Sequence, residues 1–571
     1  MKISYLVQIP APQTHYVQVT IALVLDSNLD QGRDLTLFLP SWSPGSYLLR
    51  EYSRHLRALK ITDEKGREVE FELIAKGSWL LKLKDTKATT LTCRYEVYCY
   101  ELTVRTCHID ATHAFLQGPA YLLGLEEYTH LTHEITLEIP PEWSKIATAL
   151  PCLAQDSTHR FRFKATNYDY LIDSPIELGC HENLGFKIGE VEHLVAIYGY
   201  LHEDVDRQKF LSDIQKICQT TCDYMGVIPF KNYVFIIHFI PGIYGGLEHL
   251  DSTVLQFDGR KLTNPKDYLQ WLCLVSHEYF HAWNVKRLRP IELGPFHYTQ
   301  ENYTRMLWLA EGLTSFMDNY FVLKSKLCSI DDYLDLIKSD LNTYYQIQGR
   351  RYDSLEESSF QAWIKLYRPH ENSNNVTISY YLKGGLVFFH LYLKMTNAGY
   401  SFQQFILALW KSYEENPSVG IRKTQFMSIL EFHSNTTITN EFDDYLVTTI
   451  EIPFVDTFHS AGLEIEWRKI HYDFGINVDY LGDRVFVKSV QQNGGAWEAG
   501  LSAGDEIISI NNLRVLKTDY SIFLEQIKEN KHYEFLISRN AMLQVLTVSP
   551  KHSLPEVSSL KKLNFFREDL F

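Results

Sequence analysis

The chain has 571 residues, 45% hydrophobic and 22% charged, with a formal net charge of −15. That length is too great for one hydrophobic core and implies three or four domains. The apolar and charged fractions are those of a globular protein, and the acidic balance argues against nucleic acid as a partner.

Residues 1–180 read as β. Period-two segments recur at 16–25, 35–39, 79–83, 90–100, 133–139 and 160–165, and turn clusters such as Asp63-Glu64-Lys65-Gly66 separate them. The expectation is a sandwich-like domain. Residues 181–325 hold strands at 194–198 and 233–239, followed by two helices. Residues 326–455 read as mainly helical. A compact unit spans 460–550, and 551–571 reads as a tail. The fold class expected is therefore multidomain α+β.

No apolar run is long enough to span a bilayer. The opening Met1-Lys2-Ile3-Ser4-Tyr5 passes into strand-like sequence and has no export-signal pattern. Nine scattered cysteines, an odd number, fit reduced thiols in a cytoplasm.

The segment richest in chemistry is His277-Glu278-Tyr279-Phe280-His281. It reads H-E-x-x-H, which puts two imidazoles on one helical face with a carboxylate beside them. Such a pair can share a zinc ion, and Glu278 can act as the base for its water. Asn264-Pro265 is a helix start, with a capping side chain followed by proline at the first helical position. Leu272, Val275, Tyr279 and Ala282 form an apolar stripe. Lys286, Arg287 and Arg289 are expected in the last turn, with Pro290 stopping the helix.

A third ligand is needed. Trp308-Leu309-Ala310-Glu311-Gly312 lies in a second expected helix, 303–325, capped by Asn302. A lone acid in so apolar a run is costly to bury without a partner, and a cation removes that cost. Asp318, seven residues on, is on roughly the same face and could orient an imidazole.

Two more motifs complete the pattern. Tyr244-Gly245-Gly246-Leu247-Glu248-His249 precedes the histidine helix, and Tyr381-Leu382-Lys383-Gly384-Gly385 follows it. A glycine-rich strand ending in glutamate, then H-E-x-x-H, W-x-x-E-G and Y-x-K-G, resembles the gluzincin aminopeptidases. The wording of 277–290, the early Leu39-Pro40-Ser41-Trp42-Ser43-Pro44-Gly45-Ser46-Tyr47, and A-G-L-x-x-G-D-x-I-x-x-I-N at 499–511 together resemble the PDZ-carrying glycyl aminopeptidase family. The resemblance covers nearly the whole chain.

It implies a thermolysin-like catalytic domain at 181–325, a helical subdomain at 326–455 closing a cleft, and a PDZ domain at 460–550. One zinc would be held by His277, His281 and Glu311. Glu278 would be the general base, Tyr381 (or its neighbour Tyr380) the oxyanion donor, and Glu248 the anchor of the substrate's free α-amino group. Gly245 and Gly246 would let a substrate backbone approach. Gln117-Gly118-Pro119 would be a cleft loop. The wider class has G-x-M-E-N where this chain has Gly245-Gly246-Leu247-Glu248-His249, so amine recognition rests on Glu248 alone.

The activity implied is removal of a small N-terminal residue, Gly or Ala, from peptides. The alternatives are an endopeptidase of the same zinc class and a non-catalytic peptide-binding scaffold. The partners expected are peptides with free N-termini and a peptide ligand of the PDZ domain. Asp473-Phe474-Gly475-Ile476 matches the carboxylate-binding loop of that domain, with Asp473 opposing an anion.

Overall fold

A computed structural model describes residues 1–25, 33–84, 88–529 and 531–571. The chain divides into two compact units, one made of 1–303, 317–328 and 407–422, the other of 304–316, 329–406 and 423–571.

In the first unit, residues 1–180 build three sheets. The largest has seven strands, with Lys2–Gln8 between His133–Glu138 and Tyr16–Val24. Alternation decides which face is buried: Ile3, Tyr5 and Val7 turn inward opposite Val19, Ile21 and Leu23. Two four-stranded sheets complete this β domain. The period-two segments at 16–25, 35–39, 79–83, 90–100, 133–139 and 160–165 each overlap a strand, most overrunning its end by one or two residues.

A five-stranded mixed sheet follows. Val191–Gly199, Asn232–Phe239 and Ser252–Phe257 run parallel, while Glu182–Ile188 and Gly245–Glu248 are the antiparallel strands at the two edges. The helix Arg207–Met225 makes the crossover, beginning at Asp206, whose carboxylate accepts from Gln208 N and Lys209 N. The edge position of Gly245–Glu248 leaves one side of its backbone outside the sheet.

In the second unit, the helices Ile330–Gln346, Leu355–Phe360 and Thr436–Val447 begin at side-chain caps. Ser329 with Asp332, and Ser354 with Glu357, are reciprocal capping boxes. Trp308, Phe388, Phe426 and Phe442 form one aromatic cluster in its core. A separate core of Phe474, Val485, Ile507, Ile510, Phe535 and Ile537 belongs to the C-terminal sheet. Residues 551–571, expected to be a tail, include the strand Val557–Lys562, which pairs with Leu463–Trp467.

Among the described residues, no helix is long and apolar enough to cross a membrane.

Candidate metal centre and active site

The histidine helix spans Pro265–Phe280. Asn264 Oδ1 accepts from Lys266 N and Asp267 N, as its sequence implies. Leu272, Val275, Tyr279 and Ala282 are all buried. The C-terminus differs from expectation, because the α-helix stops at Phe280 and His281 is its cap. Lys286, Arg287 and Arg289 are therefore not in a last turn. Arg287 is buried instead, donating to the carbonyls of Ala282, Leu250 and Pro229 and pairing with Asp251. These carbonyls lie far apart in sequence, so no local signal announces the stop.

Each motif imidazole is oriented through Nδ1. His277 Nδ1 lies 2.9 Å from Asp318 Oδ2, and His281 Nδ1 lies 2.7 Å from the Asn284 carbonyl. A carboxylate and a carbonyl can only accept, so both Nδ1 atoms carry a proton, which in the neutral ring leaves the lone pair on Nε2. That is the tautomer a metal ligand needs.

Glu311 is buried and sits in a π-helical turn, Trp308–Gly312, that continues as the α-helix Leu313–Lys324. The helix thus starts later than 303. Asn302 does not cap it, since its amide instead pins the preceding loop to His297 and Gln300. A single π turn inside a helix is a frequent mark of a functional position. Asp318, two turns beyond Glu311 on this continuous helix, is the residue that holds His277.

Groups of metal-donor side chains are present. One ligand atom from each of Glu248, Glu278 and His281 lies within 4.8 Å of the others, and the rings of His277 and His281 have centroids 4.7 Å apart. Two imidazoles, one buried and one partly buried, beside buried carboxylates suit a zinc-class cation.

The glycines of the edge strand have different neighbours. A Cβ on Gly245 would meet nothing within 4 Å, whereas one on Gly246 would lie 2.1 Å from Glu278 Oε1. Gly246 is therefore small so that Glu278 can approach the strand. Its carbonyl accepts from Arg105 at 3.3 Å. Glu248 is 4% exposed. Gly45, at φ 87°, faces it so closely that a Cβ would lie 2.4 Å from Glu248 Oε1. The early Pro44-Gly45-Ser46 turn thus forms a wall beside Glu248, a role the sequence reading did not assign. His249 and Lys286 both bind Asp173, which fixes the end of this strand.

Tyr381 is the N-cap of the helix Leu382–Asn397. Burial pushes its hydroxyl well above the ordinary phenol range, and the Glu311 charge adds to the effect. Tyr380 stacks on Tyr381 with ring centroids 4.9 Å apart and is fully buried. Gln117-Gly118-Pro119 is not an accessible loop. All three residues are buried, and a Cβ on Gly118 would run into the Ile172 backbone at 2.4 Å.

In the C-terminal domain, Asp473, Phe474, Gly475, Ile476, Tyr520 and Leu524 line a groove of about 650 Å³. The amide of Gly475 already donates to Asp473 Oδ1 at 2.9 Å. Asn375 bridges to the same domain through Val490 O and Gln492 N.

The Peptidase M61 N-terminal domain model matches residues 4–180, the M61 glycyl aminopeptidase model residues 270–387, and the PDZ domain model residues 464–530. The chain belongs to the M61 glycyl aminopeptidase family. It is a metallo-aminopeptidase, a hydrolase with an added PDZ domain. Among solved structures, an aminopeptidase N family protein from Idiomarina loihiensis is 27% identical with a TM-score of 0.92, covering 100% of each chain. An M1 zinc metallopeptidase from Deinococcus radiodurans is 12% identical with a TM-score of 0.50, over 79% of this chain and 95% of that one. Yeast LTA4 hydrolase is 15% identical with a TM-score of 0.50, over 79% and 68%. These two share the fold. A search of curated proteins finds no match.

Proposed function

We propose that this M61 member is a zinc-dependent aminopeptidase that removes small N-terminal residues, Gly or Ala, from peptides. The observation that carries the reading is the pair of motif imidazoles, His277 and His281, with both Nδ1 atoms committed to acceptors and Glu278 beside His281. His277, His281 and Glu311 would hold one zinc ion. When bound, zinc supplies a Lewis acid that makes water a nucleophile near neutral pH.

The chain's own residues divide the remaining work. Glu278 accepts the water's proton and passes it to the leaving amine. Tyr381 stays protonated and donates a hydrogen bond to the carbonyl oxygen as charge develops there. Glu248 pairs with the substrate ammonium and so sets where the chain begins. The peptide lies along the open side of Gly245–Glu248, where Gly245 presents no side chain. The domains we assign are 1–180, 181–325, 326–455 and 460–550, with 551–571 closing the chain. The PDZ domain holds a peptide segment in its groove, with Asp473 disfavouring a terminal carboxylate. Nine free cysteines fit a reducing cytoplasm.

The test is metal analysis of the purified protein combined with turnover of Gly- and Ala-headed peptides before and after chelation. Zinc-free protein at full activity would refute the reading. Cleavage of N-blocked peptides at internal bonds would replace it with an endopeptidase.

A further inference from the structure

The β domain contains a second cluster of donors that this chemistry does not use. His108–Ile109 and His113–Leu116 form a hairpin with Asp110 in its turn. Antiparallel pairing and period-two alternation put His108, Asp110 and His113 on one face. One ligand atom from each lies within 4.8 Å of the others. In the sequence they form H-x-D-x-x-H.

The surroundings are built. The His113 side chain is 0% exposed, and its Nδ1 lies 2.8 Å from Glu177 Oε1. The other oxygen of Glu177 lies 2.9 Å from His238 Nε2. Tyr198 stacks on the His113 ring, with centroids 3.4 Å apart, and its hydroxyl meets Thr112 Oγ1 at 3.0 Å. So His113 is fixed, and its Nε2 is buried with no hydrogen-bond partner among the described residues. A buried polar nitrogen without a partner is costly. A carboxylate behind one ring nitrogen, with the other nitrogen left without a protein partner among the described residues, is the arrangement of a metal-ligating histidine.

Asp110 Oδ1 is committed to Thr112 N, Thr112 Oγ1 and His113 N, while Oδ2 lies 3.2 Å from His108 Nε2. His108 Nδ1 is also buried with no partner among the described residues. The side chains of His108 and Asp110 are 12% and 31% exposed, which gives a cation a way in and water a fourth corner.

We propose that His108, Asp110 and His113 bind a second divalent cation of the zinc class, separate from the catalytic donors, with Glu177 orienting His113. Two imidazoles and one carboxylate favour zinc over calcium or magnesium. The ion ties the hairpin turn together.

The test counts zinc on the full chain after chelation, reloading in micromolar zinc and desalting. Wild type should hold two ions per chain, and His281→Ala one. His108→Ala should lose one ion while peptide hydrolysis is unchanged. Asp110→Asn, which keeps an acceptor oxygen for the Thr112 turn, should do the same and guards against misfolding of the first variant. A count that both variants leave unaltered overturns the site, as does a wild-type count that falls to zero in His281→Ala. A single ion lost in His108→Ala and kept in His281→Ala would support this site and refute the zinc reading of catalysis.

Discussion

Gly312 and Gly384 meet backbone to backbone. A Cβ on Gly312 would lie 2.7 Å from Gly384 Cα, and one on Gly384 would lie 2.8 Å from Gly312 Cα. Gly312 follows Glu311, and Gly384 is three residues after Tyr381. The glycines of W-x-x-E-G and Y-x-K-G are thus two halves of one helix contact, which sets the distance between a metal-donor carboxylate and the tyrosine. Gly312→Ala is expected to cost about 1–3 kcal/mol by overpacking. It should also lower kcat at least tenfold, because the two residues are pushed apart. Thermal melts and steady-state kinetics on an Ala-headed peptide check this, and unchanged kinetics would show that the contact does not set the site.

Gly246→Ala should leave bound metal intact while lowering kcat by about 100-fold, the scale of a 1 Å misplacement. The reason is local: the new methyl group would occupy the place of Glu278 Oε1. Glu278→Gln should retain metal and lose about 100- to 10,000-fold in rate. Metal content measured beside kcat separates loss of the base from loss of the ion.

Asp318→Asn is expected to weaken metal binding about 10- to 100-fold, since it removes the carboxylate that fixes the His277 tautomer. Competition with a chromogenic chelator measures it. An unchanged metal Kd would assign Asp318 a packing role only.

The legible parts of this molecule were those written locally. Asn264-Pro265 marks a helix start within four residues, and the strands alternate within seven or eight. What could not be read depended on distant partners. The helix stops at Phe280 while Arg287 collects carbonyls from Pro229 and Leu250. Asn302 looks like a cap yet serves a turn, because its amide is equally suited to both. Gly45 looks like an ordinary turn glycine until Glu248 is placed against it. The pairing of His277 with His281 was readable because their spacing follows the helix repeat, and the glycine contacts were not because they join segments far apart in sequence.

Tyr381→Phe should lower kcat by about 100- to 1000-fold with little change in KM, as loss of one oxyanion donor does. The hydroxyl's upward shift means that it remains protonated through the working range. An alkaline fall in wild-type activity near neutrality should therefore persist in the residual activity of Tyr381→Phe. Its disappearance would assign that limb to the tyrosine.

Stability should decline on mild acidification. Burial holds His133, His181 and His193 down at about 4, against an ordinary value of 6.5. A lowered folded value means that the unfolded chain takes up protons first as pH falls. The stabilisation is therefore complete above 6.5, shrinks between 6.5 and 4, and stops falling below that. Each histidine contributes on the order of 1–3 kcal/mol across this window. Burial holds the His133 imidazole neutral inside the β domain, where its ring stacks on Tyr5, against the opposing pull of the Leu131 carbonyl that accepts from Nδ1 at 2.7 Å. His133→Gln keeps a polar group there but cannot titrate. Denaturant unfolding followed by tryptophan fluorescence at pH 7 and pH 5 should show a smaller drop for this variant than for wild type. Equal drops would remove His133 from the acid response and leave it to the other two histidines.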